Sequence, residues 1–348
     1  MGERRLSPAG AVGEVELDLG ALEEIVAFGE AHPPSPVFDA LRRTTRDRPG
    51  SSGAALVSPP RRWQSRCVTW ALDLFDLDRF VADTLAEDLG EAGDITSAAV
   101  IPAEARFTGV MRTRQPIVVA GLPVAEAFFR ALDCDVTLER PVEDGARAVP
   151  GDVLLKLRGR ARALLAAERS ALNTLQHLSG IATLTRRYVD EIDGTGAILL
   201  DTRKTIPGLR FLEKYAARMG GAENHRMGLW DAAMIKDNHV AVAGSAGEAV
   251  RRAVAAGIER VIVEVDRLDQ IAPALAAGAT HLLLDNMGEA ALREAVAEVA
   301  GRVPTEASGG ITLETIHAAA ETGVTYISVG RLTQSAPAAD IGLDFAPA

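Results

Sequence analysis

Six short aliphatic runs in the second half of the chain end in residues that could do chemistry: AILLDTRK, AAMIKDN, RVIVEVD, THLLLDN, PTEASGG and TYISVG. Their ends carry Thr202, Arg203 and Lys204, then Lys236, Asp237 and Asn238, then Glu264, then Asp285 and Asn286, then Ser308, Gly309 and Gly310, and last Gly330. Arg binds carboxylate or phosphate through a bidentate fork, and Lys acts as a mobile point charge. A ring of unpaired charges is costly in a protein that needs only stability. It is read either as a binding site for an anion or as a set of mutual ion pairs, Lys236 with Asp237 or Glu264 with a nearby Arg. In Ser308-Gly309-Gly310 the glycines allow backbone amides to approach a ligand, and the helical text that follows favours negative charge at its start. With Gly330 this reads as a phosphate site, or more plainly as a strand-to-helix turn.

The stretch GGAENHRMGLWDAAMIKDNH adds His225 and Arg226 just ahead of Lys236. His225 could titrate or donate a hydrogen bond, although a single His is more often structural. His177, His281 and His317 are read as structural. Arg169 lies on the flank of the apolar stripe of ALLAAERSALNTLQHLSG, as a snorkelling or paired side chain or as a further cation for the same pocket.

The elements that must position these groups follow from their spacing. From Asp201 to Lys236, Glu264, Asp285, Ser308 and Gly330 the steps are 35, 28, 21, 23 and 22 residues. Strand-plus-helix units of that length give parallel strands with crossover helices, and a barrel is favoured because no Gly-rich dinucleotide turn is present. In such a barrel the strand C-termini build the active site. Upstream, a helix at RFVADTLAEDLG, strands at ARFTGVMRT, QPIVVAG, CDVTLER and GDVLLKLRG, and a helix around VAEAFFRAL predict an α/β layer over 77–167. The barrel is expected over 168–335. Residues 1–76 read as a flexible N-terminal extension, with seven of the 17 prolines in the first 60 positions and a linker-like RDRPGSSGAALVSPPRR.

Composition sets the outer limits. The chain has 348 residues, 47% apolar and 24% charged, which is the profile of a globular protein of about two domains. A net charge of −11 argues against nucleic-acid binding. No apolar run is long enough for a membrane span, and the start lacks the apolar stretch of a secretory signal. Two cysteines, Cys67 and Cys134, cannot form a disulfide framework, so a cytoplasmic protein is expected.

Taken in order, DTRKT, KYAARMGGAENHR, IKDNH, EVD, LDN, EASGGI and YISVG resemble the quinolinate phosphoribosyltransferase family, as do AEDLGEAGDITS and ERSALNTLQHLSGIAT upstream. The resemblance covers about 77–345; it is specific as a set, and the first 75 residues have no counterpart in it. It implies an α/β sandwich domain followed by an incomplete, seven-stranded parallel β/α barrel, with residues 336–348 returning to the sandwich. It also implies a homodimer with shared active sites, sometimes assembled further, that joins quinolinate to phosphoribosyl pyrophosphate with Mg2+. The products would be nicotinate mononucleotide, carbon dioxide and pyrophosphate, a step in NAD biosynthesis. Carried over by position, Arg203, His225, Arg226 and Lys236 would hold the quinolinate carboxylates, and Arg169 would reach in from the partner subunit. Lys204 would contact phosphoribosyl pyrophosphate, with Thr202 beside it. Glu264 and Asp285 would bind ribose hydroxyls and, directly or through water, Mg2+. Ser308, Gly309, Gly310 and Gly330 would cradle the 5-phosphate. Ile206, Met219, Ala222 and Arg331 depart from the family pattern without removing a ligand. The competing readings are a phosphoribosyltransferase for another pyridine, a Schiff-base aldolase using Lys236, and a metabolite-binding protein without activity.

Overall fold

The computed structural model describes residues 75–347. The extension expected over 1–76 lies outside the described residues except for its last two positions.

The first layer is built on an antiparallel sheet. α1 (Leu77–Leu89) and α2 (Ile95–Val100) start at Asp76 and Asp94, whose carboxylates accept from the amides of Arg79 and Ser97 at 3.1 and 2.9 Å. β1 (Arg106–Thr113), β2 (Ile117–Val118), α3 (Leu122–Leu132), β3 (Thr137–Glu139), β4 (Arg147–Ala148) and β5 (Val153–Arg160) follow. α3 begins after Gly121 with Pro123 in its first turn, a position where the missing amide proton costs nothing. It buries Phe128 and Phe129 completely, each contributing roughly 2–3 kcal/mol by removing apolar surface from water. α4 (Ala161–Glu191) is 31 residues long and packs on α3. It runs through position 168, so a single helix serves both layers.

The second layer is a parallel sheet with crossover helices. Its elements are β6 (Ile198–Leu200), α5 (Arg210–Met219), β7 (Ala233–Ile235), α6 (Asp237–Ala243), α7 (Ala246–Ala255), β8 (Val261–Val265), α8 (Ile271–Ala276), β9 (His281–Asp285), α9 (Glu289–Val299), β10 (Thr305–Ser308), α10 (Ile316–Ala320), β11 (Tyr326–Ser328) and α11 (Arg331–Gln334). Six strands run in the order β6-β11-β10-β9-β8-β7. Beyond β6, Glu223 forms a parallel bridge with Leu200, fixed by Glu223 N to Leu199 O at 2.8 Å and Asp201 N to Glu223 O at 3.1 Å. The seventh member of the barrel is thus a one-residue contact.

Side chains alternate across the strands. Val261, Val263 and Val265 of β8, Leu282 and Leu284 of β9, Ala307 and Ile327 pack against helix residues such as Val250, Leu292 and Ile316. Ala232, Ile262 and Leu283 form a separate small cluster with Met234, the apolar floor on the opposite face. Residues two further along those strands form the polar mouth.

The chain then returns to its first layer. β12 (Ile341–Pro347) pairs antiparallel with β1, from Thr113 opposite Ile341 to Phe107 opposite Pro347, giving the sheet order β12-β1-β5-β3. The approach to β12 crosses α4 closely. A Cβ at Gly180 would stand 2.1 Å from the carbonyl oxygen of Pro337, so only glycine fits there.

Candidate active site

A cavity of about 740 Å³ opens at the C-terminal ends of the parallel strands. Thr202, Arg203, Lys204, His225, Arg226, Lys236, Glu264, Asp285, Ser308, Gly309, Gly310 and Gly330 all line it. Arg169 does not: it is exposed on α4 and outside the lining of its own chain's cavity.

A buried lattice of bonds carries the loop with Arg203. Asp201 and Lys214 are both fully buried and form an ion pair. The Asp201 carboxylate also accepts from Asn224 Nδ2 at 2.6 Å and from the His225 amide at 2.8 Å. Burial pushes the Asp201 carboxyl up and the Lys214 ammonium down, and their mutual attraction opposes both. Further along, buried Glu213 accepts from the Ile206 amide at 3.1 Å and bonds His177 Nε2 at 2.9 Å. Arg210 donates to Thr205 Oγ1 at 3.1 Å and to Met227 O at 3.2 Å, clasping the two loops that present Arg203 and Arg226. Thr333 Oγ1, on the helix that follows the neighbouring strand β11, donates to Lys204 O at 2.7 Å.

The cations are crowded. Arg226 is buried; its Nη1 donates to Ala232 O at 3.0 Å and its Nη2 meets Met234 Sδ at 3.3 Å. Burial first, then the charge of Arg203, lowers its pKa. The Nε groups of Arg203 and Arg226 are buried with no hydrogen-bond partner among the described residues. An unmade bond to a buried charged donor costs on the order of 1–3 kcal/mol, which an anion in the cavity would recover. Lys236 pairs across the mouth with Glu264, not with its neighbour Asp237. Asp285 accepts from Asn286 Nδ2 at 2.7 Å. Gly309 has φ +93°, and a Cβ there would stand 2.3 Å from Asn286 Oδ1 and 2.8 Å from its backbone nitrogen.

Glu306 is one of the lining residues that sequence reasoning missed, as are the polar Thr312, Ser328 and Gln334. Glu306 is fully buried on β10, with Oε2 3.2 Å from His225 Nε2 and 3.0 Å from His281 Nε2. Burial alone would raise its carboxyl, yet the hydrogen bond with His225 and the close approach of His281 hold it at about 2. The period of two along a strand could have found it. Glu306 shares a face with Ser308, as His281 does with Leu283 and Asp285. His177, His281 and His317 are each held by protein partners, His317 through Glu191 O at 2.7 Å.

Two family models match most of the described residues. The N-terminal domain of quinolinate phosphoribosyl transferase matches 94–179 and its C-terminal domain 181–344. The chain belongs to the quinolinate phosphoribosyltransferase family. Among curated proteins, a carboxylating nicotinate-nucleotide pyrophosphorylase of Mycobacterium leprae is 48% identical over 269 residues, covering 75% of this chain and 94% of the relative. A chloroplastic enzyme of the same name from Oryza sativa is 35% identical and covers 92% of this chain and 90% of itself. Its match therefore runs into the N-terminal stretch for which the sequence reading finds no counterpart. Among solved structures, NadC from Streptococcus pyogenes superposes with a TM-score of 0.74 at 39% identity, covering 78% of this chain and 97% of that one. The family's two-part fold, an antiparallel layer and a β/α barrel, is the architecture found here.

Proposed function

We propose that the cavity at the strand ends is where this chain joins quinolinate to the ribose of phosphoribosyl pyrophosphate. The reaction is phosphoribosyl transfer with decarboxylation, which supplies nicotinate mononucleotide for NAD biosynthesis and releases pyrophosphate and carbon dioxide. The observation that carries the assignment to this cavity is the pair of buried, unpartnered guanidinium nitrogens of Arg203 and Arg226. Both substrates are anions, and two adjacent cations inside an acidic chain are stable only where an anion visits.

In this reading Arg203, His225, Arg226 and Lys236 hold the quinolinate carboxylates. Lys204 and Thr202 face phosphoribosyl pyrophosphate. The amides of Ser308, Gly309, Gly310 and Gly330 cradle its 5-phosphate. The pyridine nitrogen attacks the anomeric carbon as the bond from that carbon to the pyrophosphate oxygen breaks. Glu264 and Asp285 bind the ribose hydroxyls, and their charge favours the oxocarbenium character of the sugar. The positive charge on the new pyridinium nitrogen then stabilises the electron pair left on the adjacent ring carbon as carbon dioxide departs, and that carbon takes up a proton from solvent. Positioning and electrostatics supply the rate, and no covalent enzyme intermediate is needed.

Mg2+ fits the same mouth. Glu264 and Asp285 stand at neighbouring strand ends, and no group of three metal-binding side chains forms among the described residues. Two carboxylates suit a cation that keeps most of its ligands as water and substrate phosphate. When bound, it would neutralise charge on the leaving pyrophosphate. The remaining parts of the proposal are a homodimer, sometimes assembled further, in which Arg169 enters the partner's cavity, and a cytoplasmic enzyme. The exposure of Arg169 supports the first, and the free, exposed thiol of Cys134 suits a reducing compartment. Among the described residues no helix is long and apolar enough to cross a membrane.

The aldolase reading is disfavoured because Lys236 Nζ is engaged in an ion pair with Glu264, whereas a Schiff base needs a desolvated lysine without such a partner. The test is turnover of quinolinate and phosphoribosyl pyrophosphate with Mg2+, following carbon dioxide release. Equal turnover of nicotinate without carbon dioxide would replace this reading with a different pyridine substrate.

A further inference from the structure

Beneath the cavity floor two imidazoles face one carboxylate. Glu306 Oε2 lies 3.2 Å from His225 Nε2 and 3.0 Å from His281 Nε2, with all three residues buried. His281 is held in turn by stacking on Tyr326, the ring centroids 5.5 Å apart at 26°. The other nitrogen of His225 is also engaged: Nδ1 accepts from the backbone amide of Arg226 at 2.6 Å. An imidazole whose Nδ1 accepts a hydrogen bond carries its proton on Nε2. That proton points at the Glu306 carboxylate. His225 therefore has no N–H left for a substrate carboxylate. Its second contact instead fixes the backbone of the residue whose guanidinium lines the cavity.

We infer that Glu306 and His225 are positioning residues for quinolinate binding: Glu306 locks His225 in its Nε2–H tautomer, and His225 holds the backbone at Arg226 so that this guanidinium meets the substrate. The inference rests on the reading that Arg226 holds a quinolinate carboxylate. It differs from that reading in making His225 a strut and not a ligand, and in giving β10 a part in pyridine binding.

Two measurements on the full chain test it. In the first, ¹⁵N NMR of the histidine-labelled protein is recorded with and without quinolinate. The expected result is a proton on Nε2 of His225 and an accepting Nδ1 in both states. Protonation of Nδ1, or a new N–H facing the ligand, on adding quinolinate would overturn the inference, and this readout needs no variant. In the second, quinolinate binding is measured by calorimetry for Glu306→Gln and Arg226→Ala. Glu306→Gln is expected to weaken binding about tenfold, as a lost charge-assisted bond would, while the KM for phosphoribosyl pyrophosphate stays within about twofold. A folded Glu306→Gln with unchanged quinolinate affinity and only a lowered Tm marks a structural role and overturns the inference. If Arg226→Ala also leaves affinity unchanged, it is the underlying reading of the site that fails.

Discussion

Gly309 stands where backbone geometry and ligand binding coincide. Its φ of +93° excludes an ordinary side chain, and a Cβ would meet both the side-chain oxygen and the backbone nitrogen of Asn286. Rotating one side chain cannot relieve both contacts, and Asn286 carries the bond to Asp285. Gly309→Ala is therefore expected to raise the KM for phosphoribosyl pyrophosphate at least about tenfold, since strain of this kind costs on the order of 1–3 kcal/mol. Quinolinate affinity should stay within about twofold. Steady-state kinetics varying each substrate in turn separates the two. Glu306 gives a second prediction. Its folded pKa of about 2 lies below its ordinary value of 4.5. A depressed acid contributes stability that is fully present above the ordinary value and is lost as pH falls from about 4.5 toward 2. Urea unfolding at pH 6 and pH 3 should show the wild type losing more stability over that interval than Glu306→Gln, by on the order of 1–3 kcal/mol. Equal losses would remove Glu306 from the acid transition.

At the scale of elements, the parallel strands were legible because each is a short aliphatic run that stops at polar residues. That pattern marks both the strand and the end that faces substrate. The lower half of the site was hidden for the same reason. Glu306 and His281 lie inside their runs, where a polar residue reads as an interruption, and only the alternation of faces shows that they point the same way as Ser308 and Asp285. The one-residue contact of Glu223 with Leu200 carries no strand-like run at all. Lys214 was hidden differently: nothing in RFLEKYAARM distinguishes a lysine that pairs with a buried aspartate thirteen residues before it from one that reaches solvent. The close crossing of α4 by Pro337 was also illegible, because a glycine inside a long helix reads as a mild flaw in the pattern. In the fold it is a requirement. Gly180→Ala is expected to cost about 2 kcal/mol or more and to lower Tm by about 4–8 °C. Differential scanning calorimetry checks it, and kcat for the folded fraction should be little changed.

For the whole molecule, the placement of Arg169 decides how many chains make one active site. It sits on the helix shared by both layers, exposed, away from the lining of its own cavity. If it completes a partner's cavity, Arg169→Ala should raise the quinolinate KM about tenfold or more, the cost of a lost guanidinium–carboxylate contact, without unfolding the chain. Arg203→Ala should do similar damage from within its own barrel. Mixing the two variants after dissociation would then restore about a quarter of wild-type activity: half the dimers are mixed, and each mixed dimer has one intact site. Mixtures that mass spectrometry shows to be heterodimers but that stay inactive would assign Arg169 to its own chain.

β12 has a consequence for how the protein is made. One of the two partners of β1 is β12, which follows the whole barrel in the sequence, so the antiparallel sheet cannot be completed until the barrel segment has been made. Through all of barrel synthesis β1 is an unsatisfied edge, and exposed edges of this kind recruit foreign strands. A nascent chain that stalls before β12 leaves that edge open with the catalytic barrel already made. A chain ending at Asp340 should accordingly accumulate in inclusion bodies when expressed, and a separate peptide spanning 341–348 supplied during refolding should return it to the soluble fraction. Pairing of β12 with β1, rather than closure of the barrel, would then be the event that commits this protein to its native state.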